Sequence, residues 1–579
     1  MGLSTALYTG LSGLTAASQM ISVSGNNIAN VNTTAYKTGR ANFQTQISQM
    51  LKNATAPTAT LGGSNPAQMG LGVKLDSITR DFADGATQIT GANTDVALEG
   101  KGFFVLNVNG QQMYTRSGRF GIDSTFNLVS AGSGGRVQGY GVDGDFNIIQ
   151  GVLRDINIPL GSLTISEATS KVFFKGNLNA AGNAATQGSV VTLGAIFSDA
   201  LGTTPALATD NLTALFNSSG SAMFQPGDVI TITGVTKGTA TLPDYRFEVT
   251  DPGAPDVVNG EKIDGHGATL QDFMNFLDAV LGIDNLTTEG VSIDGSGQLI
   301  IQGNTGEVNN LIMASSNLVL NQGSAAPSQP FEVLSLQEAD GESVRTTFVT
   351  YDSLGNEMLV DLAMVLESKS NTGTTWRYYA QSADDTDLDR VLGSGLLTFD
   401  NTGRFTGVAG GDSLITLDRN GTGADTPQTI QLMFEDGDQR ISALADTISS
   451  VSAVRQDGYP IGTLEDFTIT TDGTIVGVFS NSMLRNLGQI VLATFANPGG
   501  LVDVGGSMFN VSPASGNAMI TTPGKGGTGR TIGNALEGSN VDLSAEFINL
   551  ISASTGFSAS SRVLTTSNQL IEELLASVR

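Results

Sequence analysis

Gly524, Gly526 and Gly529 fall in the pattern G-x-G-x-x-G, which can lay backbone N–H groups against a pyrophosphate. That chemistry needs a strand before the loop and a βαβ unit around it. Here Pro513 and Pro523 lie upstream and no such unit follows, while Gly524-Lys525 leads into Gly526 rather than the Ser or Thr of a phosphate loop. In a chain with 73 glycines the match is expected by chance, and the stretch reads as linker. Asp385, Asp387 and Asp389 have calcium-loop spacing, but Arg390 stands where the loop requires Gly and Leu396 where it requires Glu. They read as a solvated acidic loop. The single histidine, His266, sits between two glycines ahead of a capped helix and reads as a surface or capping residue. Trp376, Tyr378 and Tyr379 could stack on a sugar or a partner, yet their pattern is that of strand residues filling a core. With no Cys and one His, disulfides, thiolate zinc sites, Fe–S clusters, cysteine nucleophiles and HExxH sites have no residues to build them. A Ser-His-Asp site would have to run through His266. No nucleophile–base pair assembles, so the expectation is a structural protein: no enzyme, no catalytic residue, no cofactor and no metal site.

The elements around these residues belong to a 579-residue chain, room for about three or four domains. Asp and Glu number 55 against 28 Lys and Arg, a net charge of −27, and charged residues make up only 14%. That balance argues against nucleic acid or an anionic membrane, both of which select clustered Lys and Arg. No apolar run reaches the length of a membrane span, so no membrane insertion is expected. The first charge is Lys37, so a basic region of the Sec type is missing, and Ala6 breaks the myristoylation pattern begun by Gly2.

Both ends carry heptads. Leu7, Leu14, Ile21 and Ile28 form one row, with Leu3, Gly10, Ala17, Ser24 and Val31 as a mostly small companion. At the other end Leu543, Leu550, Phe557, Leu564, Ile571 and Val578 recur every seven residues beside Phe547, Ser554, Ser561, Asn568 and Leu575, with N-cap candidates at Ser539–Asp542. An uncharged helix of this kind is marginal alone in water, so the N-terminal segment is expected to order only against other chains. The two helices could pair as a stem within one molecule, or that stem could be the subunit of a tubular polymer.

Between the ends the period drops to two, with hairpin turns at Asn109-Gly110, Asp143-Gly144, Asp294-Gly295 and Asp472-Gly473. One helix interrupts, with Leu270, Phe273, Phe276, Leu277, Val280 and Leu281 on a face capped by Thr269 and Asp272. The expected fold is mainly β with a terminal α-helical coiled-coil stem, antiparallel β-sandwich or barrel domains being nested between the N- and C-terminal helices. The expected divisions are paired helices at 1–45 and 536–579, linkers at 46–75 and 510–535, and an inner β domain at 76–151 and 445–509. A middle β domain follows at 152–181 and 336–444, and an outer insertion at 182–335.

Gly25-Asn26-Asn27-Ile28-Ala29-Asn30-Val31-Asn32-Thr33-Thr34-Ala35-Tyr36-Lys37 closely resembles the signature of the bacterial flagellar axial proteins, which build rod, hook and hook–filament junction. The resemblance continues through Thr94–Gly100, Tyr114–Phe120, Asp472–Gly477 and Asn534–Leu543, while Tyr351-Asp352-Ser353-Leu354-Gly355-Asn356 is similar to a stretch of the hook-forming members. Ala35 departs from it, replacing the Gly usual before the aromatic residue, and residues 182–335 find no counterpart by motif. The resemblance implies motif residues Asn26, Asn27, Asn30, Asn32 and Tyr36, and self-assembly through the terminal helices. It implies a structural subunit of a curved, flexible hook tube that passes motor torque to the filament, with a distal rod or junction subunit as the alternative. The implied partners are further copies of the chain, a distal rod protein, a hook cap protein, a hook–filament junction protein and a type III export apparatus. The implied location is the extracellular flagellum, reached without a cleavable signal.

Overall fold

The computed structural model describes residues 2–251, 263–284, 289–323, 326–409, 413–437, 439–445 and 448–577. The chain divides into two compact units, Met1–Thr164 with Thr463–Arg579, and Ile165–Gly462. The first unit therefore holds both ends.

Helix α1, Gly2–Ala29, and helix α3, Leu543–Ser577, pack against each other in that first unit. The N-terminal segment is thus helical within a single chain, contrary to the expectation that it orders only against others; α3 supplies the partner that an uncharged helix lacks by itself. Asp542 caps α3, its carboxylate accepting from the N–H groups of Ser544 and Ala545 at 2.9 and 3.3 Å. The stretch 46–75 is not a bare linker either. Strands Gly39–Thr45 and Val73–Arg80 pair antiparallel, and Ser48–Lys52 with Ala67–Gly70 extend the same excursion as a second two-stranded ladder. Likewise 510–535 is woven into the body. Met519–Thr521 pairs with Leu492–Thr494, and Arg530–Gly533 with Val96–Glu99. The glycine loop between those last strands turns the chain from one to the other, and no helix follows it.

Strands from both halves of the sequence alternate across the first unit. Phe103–Val108 and Gln111–Thr115 make a hairpin whose turn, Asn109-Gly110, has φ of 52° and 82°, the left-handed pair that an Asn-Gly hairpin turn supplies. Phe103–Val108 also pairs with Arg136–Val142, which in turn meets Leu484–Ile490 from the returning chain. Phe103 lies at the middle of an aromatic cluster, its ring 5.4, 5.7 and 5.8 Å from those of Phe82, Phe495 and Phe509 in edge-on geometry.

The second unit contains two cores. Five strands run in order from Ser343–Tyr351 to Phe405–Ala409 as an antiparallel meander. Trp376 and Tyr378 on it are fully buried with Phe174, Leu397 and Phe434, which settles the aromatic triplet as core for those two residues. The other core lies wholly within 191–331 and surrounds helix α2, Leu270–Leu281. Its capping box is formed as the spacing requires, and Gly282 ends it at φ 60°. The Gly282 carbonyl accepts from Lys237, Asn304 and Gln381 at 2.7, 3.0 and 2.8 Å. Gln381 reaches it from the meander, so this carbonyl fastens the inserted core to its neighbour. Not every pair is antiparallel. Lys171–Asn177 runs parallel to Gln428–Met433 and Gln439–Ser442, because the long inserted chain between them serves as the crossover a parallel pair needs.

Phe103→Ala removes the ring that three others pack on and should lower the stability of the first unit by about 3–5 kcal/mol. A fall in that unit's urea midpoint, with the second unit unchanged, is the expected result.

Candidate functional site

Helices α1 and α3 meet through their small residues. A Cβ built on Gly10 would lie 3.3 Å from the Leu564 side chain, and one on Gly13 would lie 2.7 Å from the Ser560 hydroxyl. Farther along, Asn27 bonds Glu546 at 2.9 Å. Numbers rise on one helix as they fall on the other, so the pair is antiparallel. Thr5, Gly10, Ser24 and Asn27 are buried on α1, and Glu546, Ala553 and Ser567 on α3. On α3 the buried row precedes Phe547, Ser554, Ser561 and Asn568 by one position, so the helix presents neither heptad row singled out in the sequence.

The large side chains stay outside. Leu7, Leu14, Ile21 and Ile28 are half-buried, as are Leu550, Leu564 and Ile571, whereas Leu543 and Phe557 are exposed. Val578 lies outside the described residues. Phe547, Ile548 and Ile551 are 51, 64 and 61% exposed, and Tyr8, Leu11, Leu570, Leu574 and Leu575 are exposed with them. Two helices bare over so much apolar surface are unusual for a protein that acts alone.

At the base of the helices the sequence motifs converge. Asn27 is buried; its amide donates to the Gly39 carbonyl at 2.8 Å and to Glu546, and its oxygen accepts from Gly39 N–H and the Tyr36 hydroxyl. Asn26 donates to that same hydroxyl at 3.0 Å, and Asn30 folds back on the Asn26 carbonyl. Asn32 is exposed. Four of the five motif residues thus shape the turn by which α1 enters the body. The Arg80 guanidinium lies 6.0 Å from the Tyr36 ring and 5.5 Å from that of Phe509, and pairs with Asp503.

Lys37 and Glu537 meet in this turn, 0 and 1% exposed, at 2.7 Å. Lys37 also donates to the Ala83 carbonyl at 2.7 Å. Arg116 comes from the other side, bonding the Gly100 and Gly102 carbonyls and Asp84, with Glu537 at 3.3 Å. Two cations and two carboxylates therefore neutralise one another out of water. Burial pushes the Lys37 ammonium below its ordinary range, and the Arg116 charge adds to that; the bond to Glu537 opposes both. Asn540 completes the junction, accepting from the Thr38 N–H and hydroxyl and donating to the carbonyls of Asp81 and Ala83. Lys37 as the first charge of the chain was the sequence signal for this cluster. Its partners lie too far along the chain for spacing to identify.

Ala35, the departure from the resemblance, is buried and takes φ 55°, a left-handed conformation that glycine holds without strain. Its N–H donates to the Glu537 carbonyl at 2.8 Å, so the turn is held despite the side chain. An open cavity of about 690 Å³ beside the cluster is lined by Phe82, Phe103, Arg116, Phe495 and Pro498, and no nucleophile–base pair faces it among the described residues.

The remaining candidates scatter. Asp385 and Asp387 bring carboxylate oxygens within 4.8 Å of each other and of Asp418. Burial, then neighbouring carboxylates, hold Asp385 up at about 6. Asp389 points away from this group to cap the Val391 N–H. His266 is exposed on a short strand, Gly265–Gly267.

Four family models match the chain. They are described as flagella basal body rod protein (residues 7–37), flagellar hook protein FlgE/F/G D1 domain (97–171), flagellar basal body protein FlaE D2 domain (319–459) and flagellar basal body rod FlgEFG protein C-terminal (532–577). The flagellar hook protein FlgE of Treponema pallidum is 32% identical over 575 residues, covering 98% of each chain. That of Borreliella burgdorferi is 29% identical, and that of Salmonella typhimurium 26%, also across 98% of each. A crystal structure of Helicobacter pylori flagellar hook protein FlgE2 covers 78% of this chain and all of its own, at 18% identity and a TM-score of 0.38. With 98% of the chain aligned to hook proteins, most of 182–335 falls within those alignments, which corrects the impression from motifs that it has no counterpart.

Two substitutions probe the junction. Glu537→Gln strands Lys37 and Arg116 in a buried site and should cost about 3–5 kcal/mol, seen in denaturant unfolding. Ala35→Gly relieves the left-handed alanine and should instead raise stability by about 1 kcal/mol; a loss would show that the turn depends on the methyl group.

Proposed function

This chain belongs to the family of flagellar hook proteins, and we propose that its copies assemble through their terminal helices into a curved, flexible tube that passes torque from motor to filament. One observation carries the reading. The helices use their small residues on each other and leave Phe547, Ile548 and Ile551 bare, which equips a stem to be packed by the stems of other copies. Burying an apolar side chain of that size contributes about 1.5–3 kcal/mol, so a few per copy bring polymerisation within reach of modest concentrations.

The proposed architecture places α1 and α3 at the tube core, with the expected rows from Leu7 to Ile28 and from Leu543 to Val578 among the assembling residues. The inner, middle and outer β divisions lie progressively outward. Torque transfer requires body surfaces that slide as the tube bends. Low charge density and abundant Gly, Ser, Thr and Asn give wet contacts that exchange at little cost. The chain's work is mechanical and not enzymatic. A distal rod protein below it, a cap protein above it during growth and a junction protein beyond it are the proposed neighbours. Export through the flagellar type III apparatus, without a cleavable signal, is the proposed route to the extracellular flagellum, and an uncharged, Cys-free leading segment suits passage of an unfolded chain.

Ile548→Ser combined with Ile551→Ser should leave helix content and melting unchanged while abolishing tubes in negative-stain micrographs. Tubes of ordinary number and length from this variant would overturn the role given to the helices.

A further inference from the structure

The ladder formed by Ser48–Lys52 and Ala67–Gly70 has no covered face, every residue of both strands being exposed. Two strands alone are marginal in water, and these hold Met50, Leu51 and Met69 outward. The excursion that carries them is basic. Residues 38–80 contain Arg40, Lys52, Lys74 and Arg80 against a single acid, Asp76, and Gln44 bonds that acid at 2.9 Å. Lys52 and Lys74 are exposed, and neither enters an ion pair among the described residues.

The final turns of α3 have the complementary chemistry. Glu572 and Glu573 are exposed and likewise enter no ion pair among the described residues, and the last turn has no basic residue. Leu570, Leu574 and Leu575 stand exposed around them. An apolar patch with two cations and an apolar patch with two carboxylates both belong to this chain, and both are bare within one copy.

We propose that the ladder of one copy docks on the last turns of α3 in a second copy, Lys52 and Lys74 facing Glu572 and Glu573 while Met50, Leu51 and Met69 cover Leu570, Leu574 and Leu575. This contact rests on the homopolymer reading. It gives the tube a connection between copies besides the helix faces, and one that fixes register. Apolar contacts alone tolerate slippage, whereas misplaced like charges oppose it.

The test is a charge swap in the full-length chain, read as the protein left in solution at assembly equilibrium. Glu572→Lys with Glu573→Lys should raise that concentration by about tenfold, and Lys52→Glu with Lys74→Glu by a similar factor. All four together should restore it to near the original value. The effect of either pair should shrink in about 0.5 M salt, as an exposed contact requires. All positions are exposed, and unchanged melting of each variant confirms that folding is not what is read. Losses that add in the fourfold variant, or no loss in either pair, overturn the contact while leaving the homopolymer reading in place. An unaltered chain that forms no polymer at any salt overturns both.

Discussion

Lys37 and Glu537 stand 500 residues apart in sequence and meet without water between them. Everything else in the first unit depends on that closure. The chain must leave through one side of this cluster and come back through the other, so α1 and α3 necessarily start from the same place and run antiparallel. Arg116 ties the closure to the body strands, and Asn540 ties it to the strand that begins at Gly39. Removing one member would leave an uncompensated buried charge, which costs far more than a surface pair contributes. The junction is therefore stiff, and force along the helices passes into the β body without local yielding.

Above that junction the helices divide their residues by size. Gly10, Gly13 and Ser560 allow close approach, and their smallness makes the stem thin. Had the large rows been spent on this pairing, a single copy would be satisfied and would have little reason to polymerise. Charge is divided in a similar way between the units. Residues 165–462 hold 37 of the 55 acidic residues and 13 of the 28 basic ones, leaving the unit with the helices close to neutral. The part of the chain that packs on other copies carries little net charge, and the part that solvates the assembly carries most of it.

Much of this was legible in the residues. Heptads at both ends, period-two strands, the Asn-Gly hairpin and the Thr269–Asp272 capping box are local signals, and local signals survive into the fold. The absence of Cys, the lone His266 and the broken calcium-loop spacing were enough to read the chain as structural. What could not be read is long-range. Nothing in spacing says that Glu537 seeks Lys37, that 46–75 pairs into ladders, or that Lys171–Asn177 takes a parallel neighbour from beyond residue 427. The rotation of α3 was hidden for a related reason. Apolar periodicity identifies the faces that need cover, but not which of them the chain covers itself, and here Ala553, Ser560 and Ser567 carry too little hydrophobicity to mark theirs.

Because the chain contains no cysteine, Ile551→Cys introduces a single thiol on the face held to be buried between copies. The rate at which a maleimide dye labels that thiol, compared between dispersed chains and assembled tubes, tests that claim directly. Fast labelling when dispersed and protection in the tube, reversed on depolymerisation, is the predicted result. Equal rates in both states would mean that the bare helix faces do not hold the polymer together.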